Sequence, residues 1–100
     1  MAAETDSFAV SKEMSISHHD FFRTLPRVLA DTPYRIGETA VEVADGTRKL
    51  RITLAPETKR RMGAMQLPST RVEFLFDGYT DPEIRAFIAD FDLHFRRGGG

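Results

Sequence analysis

Ser17-His18-His19-Asp20 sets two imidazoles and a carboxylate in a row. Imidazole changes charge nearest neutral pH, and a neighbouring carboxylate can orient it. His18, His19 and Asp20 are therefore the candidate acid–base site. A shared metal fits the spacing badly. Successive residues of a helix point about 100° apart, which keeps His18 and His19 from facing one ion. His94 is the only other histidine. The alternative is a set of first-turn residues beside a helix cap, solvated in whole or in part. The chain has no cysteine, which removes disulfides, thiolate-held metals, iron–sulfur clusters and a thiol nucleophile. It has no G-x-S-x-G, P-loop, G-x-G-x-x-G, H-E-x-x-H or EF-hand pattern. No metal and no cofactor is expected, and catalysis would need groups that the fold brings together.

Lys59-Arg60-Arg61 is the candidate anion-binding run. Arginine suits bidentate recognition of carboxylate or phosphate, and Arg96 and Arg97 could join the same surface. The alternative is a solvated helix face on which Glu57 and Arg61 pair at i, i+4. A formal net charge of −1 is not the footprint of a dedicated nucleic-acid binder, so nucleic acid is not the expected partner. Eight phenylalanines without a tryptophan are a large aromatic supply. With Met62 and Met65 they could enclose a small apolar ligand or offer a patch to a protein partner, a second copy in a homodimer included. Two helices packed on one sheet would also consume about this many large side chains.

The last residues read Arg96-Arg97-Gly98-Gly99-Gly100. The Gly-Gly ending resembles ubiquitin-like and sulfur-carrier proteins, and implies a small flexible tail that threads the site of an activating enzyme. In those families a strand precedes the tail, whereas here a helix is expected before it.

The elements that must position these groups centre on Thr39–Leu54. Asp45-Gly46 lies between two alternating apolar runs and suits a two-residue turn. Closure there would set Val41 opposite Leu50, Val43 opposite Arg48 and Glu42 opposite Lys49. Val41, Val43, Leu50, Ile52 and Leu54 then share one face. The opposite-charge pair would contribute roughly 0.2–1 kcal/mol. Such a hairpin is marginal alone, so other elements must cover its apolar face.

Phe8–Ile16 alternates like an edge strand, with Lys12 facing inward. Ser17 opens a helix to Ala30 that Pro26 should kink or restart. Tyr34 and Ile36 suggest a short strand, followed by a turn or bulge at Gly37-Glu38. Pro56–Gly63 reads as a short helix, with Pro at its start and Gly at its end. Thr70–Phe76 reads as a strand. Thr80 with Glu83 makes a capping box for a final helix bearing Ile84, Phe87, Ile88, Phe91 and Phe95 on one face.

The expected fold is α+β: a two-layer sandwich of a mainly antiparallel, four- to five-stranded sheet with two main helices on one face. It occupies residues 8–97, between a disordered tail at 1–7 and a flexible Gly tail at 98–100. The α-β-β-β-α order inside it resembles double-stranded-RNA-binding domains, although the last helix opens on Asp81-Pro82-Glu83 rather than a basic cluster. A composition 41% hydrophobic and 29% charged is that of an ordinary globular chain. No signal peptide or membrane span is legible, and the lack of cysteine fits the cytoplasm. A small non-catalytic binding or interaction module is the expected function. An enzyme or enzyme accessory with its site at His18–Asp20, or an anion binder using Lys59–Arg61, is the alternative.

Overall fold

A computed structural model describes residues 7–98. The tail expected at 1–7 falls outside them but for Ser7, and the Gly tail falls outside them but for Gly98. The chain runs β1 (Ser7–Met14), α1 (His18–Leu29), β2 (Tyr34–Ile36), β3 (Ala40–Asp45), β4 (Arg48–Leu54), β5 (Thr58–Met62), β6 (Met65–Asp77) and α2 (Asp81–Gly98). The strands order as β1-β6-β4-β3-β2, with β5 paired to β6 off that path. Every pairing is antiparallel. The α+β class stands, with six strands where four or five were expected. Between the two helices lie five strands, not the three of the double-stranded-RNA-binding order.

One sheet face is apolar because alternate residues point to it. Val41, Val43, Leu50, Ile52, Leu54, Val72, Phe74 and Phe76 are all buried. They join Phe21, Leu25, Val28 and Leu29 of α1, and Ile84, Phe91 and Phe95 of α2, in one cluster. Phe91 is the hub. Its ring stands edge-on to Phe74 at 4.9 Å, stacks on Phe95 at 4.2 Å and meets Phe21 at 6.0 Å.

The hairpin keeps its expected apolar face in a different register. Gly46 has φ +65° and no such angle occurs at Asp45 or Thr47. The reversal therefore uses Gly46-Thr47, with Gly at the first central position, the type II′ arrangement. Val43 faces Leu50, Val41 faces Ile52, and Glu42 faces Arg51 instead of Lys49. Each residue's partner has moved by two, which leaves the buried face unchanged.

The second difference is larger. The short helix expected at Pro56–Gly63 is strand β5, turned back at Gly63-Ala64 into the first half of β6. Gly63 has φ +61°, so this turn too begins on a left-handed glycine. Strand β6 spans 13 residues, roughly 44 Å at 3.4 Å per residue. It accounts for a molecule 52 Å long and 28 by 25 Å across. Residues 65–69 pair with β5 alone. Pro68 is accommodated there because its missing N–H faces no second strand.

Helix α1 begins as expected, with Ser17 Oγ accepting the Asp20 N–H at 3.1 Å. It passes Pro26 without a break and ends when Ala30 donates to the Pro26 carbonyl at 2.9 Å. Strand β1 is an edge, and Lys12 does turn toward the helices, where its Nζ meets Asp92 of α2 at 3.0 Å. The capping box of α2 is formed both ways: Glu83 N–H to Thr80 Oγ1, and Thr80 N–H to Glu83 Oε1 at 2.8 Å.

Candidate functional site

The two sequence-expected sites lie on different structures. His18 is tied to the β4–β5 connection. Its backbone N–H donates to Glu57 Oε1 at 2.9 Å, and Nε2 lies 2.8 Å from the Ala55 carbonyl oxygen. A carbonyl can only accept, so this contact sets the proton on Nε2. His19 is exposed. Asp20 Oδ1 takes Arg23 at 3.1 Å. The helix start thus spreads the three groups: His18 holds the neighbouring connection, and Asp20 pairs along its own helix. Among the described residues no group of three or more His, Asp or Glu converges as metal ligands would. Lys59, Arg60 and Arg61 sit on β5, where every residue is exposed.

Among the described residues, the sheet face away from the helices is uncovered. Cross-strand pairing lays Arg35, Glu42, Arg51, Leu75 and Ala9 in one row from β2 to β1. All five are exposed. Leu75 stands out among them. It is on β6, an interior strand, yet 45% of it is open. Shallow troughs flank it, one of about 550 Å³ toward Arg35, Lys49 and Arg51, and one of about 310 Å³ toward Ala9, Ser11 and Thr53. The same face carries four cations (Arg35, Lys49, Arg51, Arg71) and four carboxylates (Glu13, Glu42, Glu73, Asp77). Arg51 reaches Glu42 at 3.6 Å and Arg71 reaches Glu13 at 3.8 Å. Exposed pairs of this kind are worth roughly 0–1 kcal/mol, so they yield readily to a partner's charges.

Another concavity, about 310 Å³, lies where the ends of α1 and β3 meet the start of α2. Val28, Leu29, Val43 and Phe87 line it on the apolar side, and Arg48, Tyr79 and Glu83 on the polar side. Arg48 hydrogen-bonds Asp45, meets Glu83 at 3.2 Å, and sets its guanidinium carbon 4.7 Å from the Tyr79 ring centre. The bond to Asp45 raises the Arg48 pKa further. Burial pushes the Tyr79 phenol up, against the opposing pull of Arg48. The Thr80 N–H, with Arg48 beyond it, holds the Glu83 carboxyl below its ordinary value. This cluster was not legible in the sequence. Its only local signal was the capping box after Tyr79, and Arg48 joins it solely through the hairpin register.

Compared with known proteins, the chain matches no family model, no curated protein and no solved structure.

Proposed function

We propose that the chain is a non-catalytic interaction module that docks a protein partner on its uncovered sheet face. The observation that carries this is Leu75, a large aliphatic side chain 45% open on an interior strand of that face. An exposed apolar side chain among polar and charged neighbours is a common element of a protein-binding patch. Equal numbers of cations and carboxylates around it favour a protein surface of mixed charge over a polyanion. A second copy of the chain has such a surface, so a homodimer is one form this partner can take. The cysteine-free composition supports a cytoplasmic setting for it.

A photo-cross-linking residue placed at 75 tests the reading. Leu93 on α2 is equally open, at 45%, and serves as the control position. Adducts of one discrete mass from 75, absent from 93 and abolished by Arg51→Glu, are expected. Indistinguishable adducts from both positions would overturn the proposal. Sedimentation equilibrium separates the homodimer from a foreign partner.

A further inference from the structure

The β5–β6 arm is not absorbed by the interaction face, and it has a chemistry of its own. Residues 58–69 carry Lys59, Arg60 and Arg61 and no carboxylate. Since the whole chain is at −1, the remainder carries −4. The near-neutral total thus conceals a segregated charge: a basic arm on an acidic body. Among the described residues, none of the three arm cations pairs with a carboxylate. At the arm's end Met62 and Met65 are 55% and 61% open on either side of the Gly63-Ala64 turn.

We propose that this arm enters the major groove of B-form DNA. Alternation puts Lys59 and Arg61 on one face of the ribbon and Arg60 on the other, beside Leu67. A flat acidic protein or an anionic membrane presents charge to one side only. A groove walled by two phosphate backbones presents it to both. The B-DNA major groove, about 12 Å wide and 8.5 Å deep, admits a two-stranded β-ribbon. A five-residue strand rises roughly 17 Å, enough to reach its floor. The deep, narrow major groove of A-form RNA does not admit side chains in this way. The body's −4 is repelled by phosphate, which orients the arm tip first. Gln66, opposite Arg61, reaches base edges, and the methionine tip offers apolar contact to thymine methyl groups.

Fluorescence anisotropy with a labelled 20-base-pair DNA duplex tests this, alongside an RNA duplex of the same sequence, polyglutamate and vesicles containing phosphatidylserine. Three phosphates neutralised give a log–log salt slope of about −2.7, or roughly forty-fold weaker binding from 50 to 200 mM salt. Each of Lys59→Ala, Arg60→Ala and Arg61→Ala should flatten that slope by about 0.9. The triple variant should lose at least about tenfold in affinity at 50 mM salt, with an unchanged thermal melt. Leu75→Ser, which changes no charge, should leave DNA binding intact, which keeps this test separate from that of the sheet face. Absence of DNA binding at low salt, equal or tighter binding to RNA, or binding only to polyglutamate or vesicles would each overturn the proposal.

Discussion

Arg48 lies over the ring of Tyr79, 4.7 Å from its centre, while it donates to Asp45 and forms an ion pair with Glu83 at 3.2 Å. The contact joins the β3–β4 turn to the start of α2, two places separated by the whole of β4, β5 and β6. Gly78 brings the same parts together: a Cβ there would sit 3.1 Å from the Thr47 carbonyl oxygen. Arg48→Met should cost about 1 kcal/mol in urea denaturation, from a cation–π contact and partly exposed ion pairs. A double-mutant cycle with Tyr79→Leu should show that the two losses are not additive.

Glu83 supplies a pH dependence. Its carboxyl titrates below the ordinary 4.5, chiefly because the Thr80 N–H bonds it. A carboxylate lowered in the folded state contributes stability that is present above the unfolded value. That stability is lost as pH falls through the folded value. Stability measured from pH 6 to pH 3 should therefore fall more steeply in the parent than in Glu83→Gln. Equal slopes would mean that the cap bond does not distinguish the charged form.

Ala30 holds φ +53° at the end of α1, the single non-glycine residue with positive φ among those described. An L-residue with a Cβ is strained there, and glycine is not. Ala30→Gly should stabilise the protein by about 0.5 kcal/mol, less than the strain relieved, because the unfolded chain gains freedom. A lower melting temperature would contradict this.

Phe91→Ala should cost about 3–5 kcal/mol, since a fully buried ring leaves a cavity that its neighbours cannot fill. Phe8→Ala should cost under about 1 kcal/mol, because Phe8 is 52% open at the free edge of the sheet. Chemical denaturation of the two variants side by side measures the contrast.

What the sequence could and could not convey follows from these residues. The apolar faces of β3, β4, β6 and α2 were legible because each is written in local periodicity. The hairpin register was not. Moving every partner by two preserves the pattern, and what selects Gly46-Thr47 is backbone geometry at one glycine together with the Asp45–Arg48 pair it creates. Strand β5 was misread for a related reason. Pro56-Glu57, three good helix-forming cations and Gly63 all satisfy helix rules locally. Only pairing with Met65–Ser69, a run whose Pro68 argues against a strand, makes them extended. The candidate site divides in the same way. Leu75 is out of step with Val72, Phe74 and Phe76 in the sequence, but that break suggests cover on both faces of its strand, whereas the structure leaves Leu75 open. Arg48 and Tyr79 meet only through tertiary structure.

The place of β6 between β1 and β4 has a consequence for synthesis. Its partners include β1, with Ser7 opposite Asp77, and β4, with Leu50 opposite Phe76. A ribosome that has released only β1 through β4 has made both flanks of the sheet and not the strand between them. Until β6 emerges, β1 has no partner strand within the chain and β4 is paired on one edge only, with β3. Strands left open in this way template wrong pairings with other nascent chains. Over that interval a chaperone has the most to protect.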